Sequence, residues 1–208
     1  MAKDKEAVLI VIDGVDGAGK GTQIDLLKQA LSGEPFIFTR EPGGTPYAEA
    51  IRTLIFDPQA EDASPLVRLL LFFAAREEHL TRRILPELAR GTHVVSDRFD
   101  SSTFALQLYG EEVQRFRDLF FTLRKSVVSV EPRYLILDLP AEVSVERLRR
   151  NATRPGNYID TWPLTYHARV REGFQAFATH VPCTFIDANR SPEEVHTDVL
   201  RTVRAFTA

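Results

Sequence analysis

The sequence predicts an α/β fold in which a five-stranded parallel sheet is sandwiched by helices. Short apolar runs rich in β-branched residues alternate along the chain with longer segments of helical periodicity. Most of these runs are almost continuously apolar, which is typical of strands that are covered on both faces. In such a fold, ligands bind at the carboxyl ends of the strands.

Five segments have the length and composition of buried strands. They are Val8–Ile12, Phe36–Thr39, His93–Ser96, Tyr134–Leu139 and Thr184–Ile186. Helical periodicity fills the intervals between them. The predicted helices are Lys20–Leu31, Tyr47–Phe56, Pro65–Arg90, Glu111–Lys125, Ala141–Arg150, Leu164–Thr179 and Pro192–Phe206. We expect a single domain that spans residues 1–208.

Local signals mark the ends of several helices. Ser64 and Ser191 each precede a proline, a pattern that favours an N-cap followed by the first helical residue. Glu194 stands three residues after Ser191 and completes a capping box. Gly33 follows the first helix, where a left-handed residue is expected.

Composition excludes several classes of protein. The net charge of -3 argues against a protein whose main partner is a nucleic-acid backbone. The single cysteine, Cys183, excludes an intrachain disulfide and suits a reducing compartment. The first apolar run ends at Asp13, so we expect neither a signal peptide nor a membrane span. A cytoplasmic protein with no membrane or nucleic-acid partner is the expectation.

A glycine-rich segment between the first strand and the first helix has the spacing of a phosphate-binding loop. It comprises Gly14, Val15, Asp16, Gly17, Ala18, Gly19, Lys20, Gly21 and Thr22. Its amides and the following helix N-terminus favour negative charge, and Lys20 would bridge the β- and γ-phosphates. The segment therefore predicts a nucleoside triphosphate site.

Two carboxylates, Asp13 and Asp16, are not explained by phosphate binding, because they repel phosphates. Each could be a solvated turn residue or a cap. Alternatively, Asp16 faces a second ligand and accepts a hydrogen bond from a hydroxyl, such as that of a sugar.

Further candidates lie where strands end. Arg40 follows the second strand and is either a surface ion-pair residue or an anion ligand. Asp97 and Arg98 end the third strand, where they could form a structural ion pair or hold a metal-bound water and a phosphate. Asp138 ends the fourth strand, and we interpret it as a turn or cap residue.

Two other segments have competing interpretations. Phe72 and Arg76 share one helix face, so Phe72 is either a core residue or a ring that stacks on a base beside the arginine. The polar segment 149–162, broken by a Pro-Gly pair and carrying Arg149, Arg150 and Arg154, is either a plain loop or a small mobile lid. The five histidines lack the spacing of a zinc site.

Four segments together resemble the thymidylate kinase family, nucleoside monophosphate kinases with a P-loop NTPase-type core. In the family's order and spacing they are GVDGAGKGTQ, TREPGGT, LLLFFAAREEH and SDRFDSSTFALQ. The similarity continues through YLILDLPAEVSVERL to IDANRSPEEV. The resemblance implies phosphoryl transfer from ATP-Mg²⁺ to a deoxynucleoside monophosphate, normally dTMP, and a homodimer.

The resemblance also implies roles for individual residues. The catalytic set is Lys20, Asp16, Arg98 and Arg154. Nucleotide binding adds Arg149 and Asn189 to the glycine-rich loop, and Asp97 would hold Mg²⁺ through water. The acceptor-binding set is Asp16, Phe38, Arg40, Phe72, Arg76, Arg98, Ser102, Thr103, Leu106 and Gln107. Within that set, Asp16 would bind the 3′-hydroxyl and Arg76 the O4 edge of the base.

The chain departs from the family pattern at three places. Asn157-Tyr158 stands where the lid normally carries an Asp-Arg pair, so Arg154, Arg149 or Arg150 must substitute. Leu106 replaces a tyrosine that crowds the 2′ position of the sugar. Gly21 replaces the hydroxyl residue of most phosphate loops, as in adenylate kinase. The alternatives are a kinase for dUMP, a 5-substituted dUMP or dCMP, and a nucleotide-binding regulator without turnover.

Overall fold

The computed structural model describes residues 6–150 and 162–208, which form a five-stranded parallel sheet flanked by helices. The strands are β1 (Leu9–Gly14), β2 (Phe36–Arg40), β3 (His93–Asp97), β4 (Arg133–Asp138) and β5 (Cys183–Asp187). Their order in the sheet is β2-β3-β1-β4-β5, and the pairings are parallel. The α/β fold class and the five predicted strands are confirmed, with ends within two residues of the prediction.

Helices fill the intervals between the strands. They are α1 (Lys20–Ala30), α2 (Pro46–Ile55), α3 (Pro65–His79), α4 (Leu85–Ala89), α5 (Asp100–Ser102), α6 (Arg117–Val127), α7 (Ala141–Arg150), α8 (Leu164–Phe177) and α9 (Pro192–Thr207). Short 3₁₀ segments occupy Pro58–Asp62 and Gln114–Phe116, and π-helical segments occupy Leu80–Ile84 and Thr103–Gly110. The predicted N-caps are present: the Ser64 hydroxyl accepts from the Val67 amide at 3.3 Å, and Ser191 and Glu194 form a capping box.

Two helix predictions differ from the structure. The predicted helix Pro65–Arg90 is three connected segments, because Pro86 lacks the amide that an α-helix needs at that turn and a π-helical turn precedes it. The prediction that a helix begins at Glu111 is wrong. Helical structure instead covers Asp100–Gly110, and α6 begins only after Glu112, whose φ of 57° interrupts the helix.

The register of the sheet determines which strand ends meet. All six residues of β1 are buried, as expected of a central strand covered on both faces. Asp97 pairs with Ile12 on one side and with Arg40 on the other, so β1, β2 and β3 end together. The polar residues that follow these strands therefore lie at one edge of the sheet. Among the residues that the structure describes, no helix combines the length and apolar character needed to cross a bilayer.

Candidate functional site

The glycine-rich loop connects β1 to α1 and turns sharply through backbone conformations that favour glycine. Gly14, Gly17 and Gly19 have φ values of 141°, 78° and 92°. A Cβ on Gly14 would lie 2.3 Å from the carbonyl oxygen of Leu137 on β4, so any side chain would displace the loop. Glycine at position 14 therefore allows the loop to pack closely against β4.

Lys20 is the buried cation of this loop. Its Nζ donates to the carbonyl oxygens of Gly14 and Val15, both at 2.9 Å, and lies 4.0 Å from Asp16 Oδ1. Burial and the charge of Arg98 lower the Lys20 pKa from 10.5 to about 8, although nearby carboxylates partly oppose the shift. A phosphate beside Lys20 would restore the charge.

The loop opens on a cleft of about 1020 Å³. Arg149, which the resemblance implied, lines the cleft together with Arg147 and Arg190. Asn189 is absent from the lining of this cleft among the described residues, although its neighbours in sequence belong to it. Arg98 and Arg150 also line the cleft, so five arginines provide a strongly positive surface for a polyphosphate.

Helix α7 supports the loop through two residues that the sequence analysis did not select. The Ser144 hydroxyl donates to the Asp16 carbonyl oxygen at 2.5 Å. One turn later, Arg147 Nη2 donates to the Ala188 carbonyl oxygen at 3.1 Å, and Nη1 donates to that of Gly17 at 3.5 Å. Their i, i+3 spacing on one helix face was the only signal in the sequence.

Arg98 joins the end of β3 to the loop. Its Nη2 donates to Asp16 Oδ1 at 2.5 Å, and its Nη1 donates to the Ser102 hydroxyl at 3.0 Å. A φ of 68° turns the Arg98 backbone out of the strand direction. Burial opposes the charge of Arg98, but the carboxylates of Asp16, Asp13 and Asp97 outweigh burial and raise its pKa.

Asp13 is fully buried, so the alternative of a solvated turn residue is wrong. Its Oδ2 accepts from the Ser101 hydroxyl and its Oδ1 from the Ser102 hydroxyl, both at 2.7 Å. Oδ1 also accepts from the Gly14 amide at 2.9 Å. Asp13 therefore ties the start of the loop to the segment that follows β3.

Asp97 meets the requirement for water-mediated contact with a cation. Its Oδ1 is buried and has no hydrogen-bond partner within residues 6–150 and 162–208. Mg²⁺ at phosphate sites usually keeps several waters and takes one or two carboxylates from the protein. An unused carboxylate oxygen beside the phosphate loop fits this arrangement. No group of three or more potential ligating side chains occurs in the described part of the chain.

Arg76 lies on α3 and is almost fully buried. Its Nε donates to Glu41 Oε2 at 2.9 Å and its Nη2 to the Thr103 hydroxyl at 3.0 Å. Its Nη1 is buried and finds no partner among the described residues, and the same holds for both amide atoms of Gln107. One cationic donor, one amide donor and one carbonyl acceptor are thus unused near each other in the fold, because Thr103 and Gln107 are four residues apart on one segment.

The remaining predicted acceptor residues are partly buried. Phe72 packs against the small apolar cluster of α2, which contains Ala48, Ile51 and Ile55. Phe38 and Leu106 are likewise half-buried, but they pack against the main core. The structure thus leaves part of each of these three side chains accessible.

Two strand-end residues form ion pairs. Arg40 donates through both Nη atoms to Glu49, each at 3.0 Å, so the surface ion pair is the alternative observed. Asp138 accepts two hydrogen bonds from Arg171, at 2.8 and 2.7 Å, where the sequence analysis predicted a turn or cap. Arg154, Asn157 and Tyr158 lie outside the described residues, as does most of the segment 149–162.

Two anion-binding arrangements therefore meet at one edge of the sheet. The loop lysine faces the cleft, and Asp16 links that lysine to the arginine at the end of β3. This layout defines a P-loop phosphotransferase with a second site beside the nucleotide site, as in the kinases of nucleoside monophosphates.

Comparison with known proteins narrows this class. The chain belongs to the thymidylate kinase family, whose model, described as "Thymidylate kinase", matches residues 12–199. It is therefore a nucleoside monophosphate kinase, and the resemblance found in the sequence is confirmed.

Individual relatives cover nearly the whole chain. The thymidylate kinase of Pelotomaculum thermopropionicum is 40% identical over an alignment of 197 residues that covers 92% of this chain and 90% of that protein. That of Symbiobacterium thermophilum is 40% identical over 202 residues, covering 95% and 92% respectively. A crystal structure of thymidylate kinase from Ehrlichia chaffeensis superposes with a TM-score of 0.74 at 31% identity, covering 95% of this chain and 98% of that one.

Proposed function

We propose that this protein transfers the γ-phosphoryl group of ATP to dTMP, yielding dTDP for dTTP synthesis. The observation that carries the proposal is the position of Asp16 between Lys20 and Arg98. A single carboxylate thereby separates a site for the donor phosphates from a site for the acceptor phosphate. The relatives named above support dTMP as the acceptor.

The donor side consists of the loop and the cleft. Loop amides and Lys20 would hold the β- and γ-phosphates of ATP, while Arg149 and the backbone around Asn189 would lie toward its base. Asp97 would contact Mg²⁺ through water, and the ion would neutralise charge on the transferred group.

The acceptor side begins at Arg98. Its guanidinium would leave Asp16 and bind the dTMP phosphate. Arg40 would add a second charge by leaving Glu49. Asp16 would accept from the 3′-hydroxyl, and Ser102 would help to orient Arg98. Arg76, Thr103 and Gln107 would bind the base by hydrogen bonds, with Phe72, Phe38 and Leu106 as its apolar walls.

Phosphoryl transfer needs alignment and charge neutralisation more than covalent help. Lys20 and Arg98 would supply charge on the two sides of the reacting phosphates. The loop itself contains no arginine, so we propose that Arg154 in a mobile lid, residues 149–162 of this single domain, supplies one. An arginine in such a position is worth ~10³–10⁵ in rate in related systems.

We also propose a homodimer that acts in the cytoplasm. Tyr47 and Leu54 on α2 and Val67 and Leu70 on α3 are 45–66% exposed, and the two helices pack side by side. The family resemblance implies a homodimer, and a second copy would cover this apolar face. The single, half-buried Cys183 suits a reducing compartment. Sedimentation or light scattering of the purified protein measures the oligomeric state, and a monomer contradicts the dimer.

Steady-state rates with a panel of monophosphates test the acceptor. We expect dTMP to have the highest kcat/KM among dTMP, dUMP, a 5-substituted dUMP and dCMP. Leu106 leaves the sugar side less crowded than a tyrosine would, which favours a broader choice of sugar rather than of base. A higher kcat/KM for dCMP or a 5-substituted dUMP would overturn dTMP as the acceptor. If the protein binds ATP but forms ADP with none of these acceptors, it would instead be a nucleotide-binding regulator without turnover.

A further inference from the structure

A buried hydrogen-bonded chain runs from β2 to the π-helical segment behind the proposed base site. Thr39 Oγ1 lies 2.7 Å from His79 Nε2, and His79 Nδ1 lies 3.1 Å from Glu41 Oε1. Glu41 Oε2 accepts from Arg76 Nε, and Arg76 Nη2 donates to Thr103. His79 is 0%, Arg76 1% and Glu41 5% exposed. Charges buried this deeply persist only when their partners are well placed.

Both carboxylate oxygens of Glu41 take part in this hydrogen-bonded chain. One carboxylate oxygen accepts from His79 and the other from Arg76. Because a carboxylate only accepts, the hydrogen of the His79–Glu41 bond resides on Nδ1, and Nε2 bonds to the Thr39 hydroxyl. Each oxygen of Glu41 is thus already held by a donor from the protein.

The position of the His79 ring is itself restricted. A Cβ on Gly44 would lie 2.4 Å from His79 Nε2 and 2.7 Å from Thr39 Oγ1, so the loop after β2 closes against the ring. The Arg76 guanidinium also lies between two aromatic rings, 5.0 Å from the Phe73 centroid and 5.1 Å from that of Phe99. The guanidinium is held by Glu41, Thr103 and these rings, and within the described residues only Nη1 remains an unused nitrogen.

We infer that His79 is a positioning residue that sets the preference of this kinase for a keto group over an amino group on the acceptor base. By bonding to Glu41 Oε1, His79 fixes the carboxylate, and the carboxylate fixes Arg76 with Nη1 as its one nitrogen that has no partner among the described residues. A fixed donor pairs with O4 of thymine and opposes the amino group of cytosine. Loss of the His79 bond releases one side of the Glu41 carboxylate. The carboxylate can then turn and accept from an amino group, or Arg76 can turn with it. This inference rests on the proposed function.

Two substitutions of His79 separate positioning from packing. His79→Asn keeps an N–H near the place of Nδ1, whereas His79→Gln removes that donor and keeps a polar group near the place of Nε2. The measurement is kcat/KM for dTMP, dUMP and dCMP with wild-type enzyme and both variants. Ratios of kcat/KM within one sample do not depend on the fraction of folded enzyme, so reduced stability does not affect them.

We expect His79→Gln to lower the dTMP-to-dCMP ratio by about 10- to 100-fold, mainly through a higher KM for dTMP. The dTMP-to-dUMP ratio, which depends on the 5-methyl group, should stay within about twofold. His79→Asn should restore the first ratio to within about threefold of wild type. A dTMP-to-dCMP ratio in His79→Gln that stays at the wild-type value, or that changes in step with the dTMP-to-dUMP ratio, would overturn the inference.

A second variant applies where His79→Gln yields no folded enzyme. Thr39→Val keeps the shape of residue 39 but removes the hydroxyl that fixes His79 Nε2, so we expect a severalfold lower dTMP-to-dCMP ratio. An unchanged ratio in Thr39→Val then overturns the role of His79. Wild-type enzyme that does not prefer dTMP to dCMP contradicts the proposed function itself. A wild-type preference that both variants retain contradicts only the role of His79.

Discussion

The low pKa of Lys20 makes ATP binding depend on pH in a range that is easy to measure. The lysine is buried, its Nζ is bound to two backbone carbonyls, and its pKa is about 8. Only the protonated form carries the charge that a triphosphate needs. ATP binding therefore takes up a proton wherever the free lysine is already partly neutral.

The size of the effect follows from the titration. With a pKa of about 8, roughly nine-tenths of Lys20 is charged at pH 7 and about one-tenth at pH 9. We therefore expect the ATP dissociation constant to rise by roughly tenfold between these pH values, or about 1.4 kcal/mol. At pH 8, binding should take up about half a proton.

Isothermal titration calorimetry in two buffers of different ionisation enthalpy measures this uptake directly. The matched control is Lys20→Arg, which keeps its charge throughout the range, so its ATP affinity should lack this dependence. The control also cancels the titration of the nucleotide. The same pH profile in both proteins, or negligible proton uptake at pH 8, would refute the reasoning.

Five further substitutions test other parts of the site and of the loop. Arg98→Ala should lower kcat by at least about 100-fold while ATP affinity, measured by calorimetry, changes little; normal turnover would exclude Arg98 from the site. Arg154→Ala should reduce kcat more than either substrate affinity, and a larger loss from replacing an arginine at the end of α7 would move that role there. Gly14→Ala should cost at least ~2 kcal/mol in urea unfolding because its Cβ meets a β4 carbonyl, whereas Gly21→Ala, with open space around it, should cost none. Leu106→Tyr should raise the deoxyribo-to-ribonucleotide ratio of kcat/KM by about tenfold, and an unchanged ratio would place Leu106 away from the sugar.

The strands and the main polar positions could be predicted because their signals are local. Nearly continuous apolar runs identify buried strands, and polar residues directly after them must lie at the carboxyl edge of a parallel sheet. Asp97 and Arg98 were found in this way, whereas Lys20 was found from the spacing of the glycine-rich loop. Hydrophobic periodicity also identified α7 and α9 to within one residue at each end.

Other features could not be predicted because they depend on tertiary contacts. Glu41 and Arg76 are 35 residues apart, and no local pattern marks them as partners. The π-helical segment from Thr103 to Gly110 has a wider turn than the α-helical period assumes, which explains why the periodicity placed the helix too late in the chain. The role of Ser144 depends on the packing of α7 against the loop, which spacing alone does not fix.

The bond between Arg98 and Asp16 has a consequence for selectivity among anions. A fully deprotonated anion such as sulfate that approaches Arg98 must first displace the carboxylate, and it offers Asp16 no donor in return. A nucleoside monophosphate bound as we propose brings both a phosphate for the arginine and a hydroxyl for the carboxylate. The exchange is balanced only for a molecule that carries both groups at the right separation. The internal ion pair would thus exclude from the acceptor site those anions that bring no hydroxyl for Asp16.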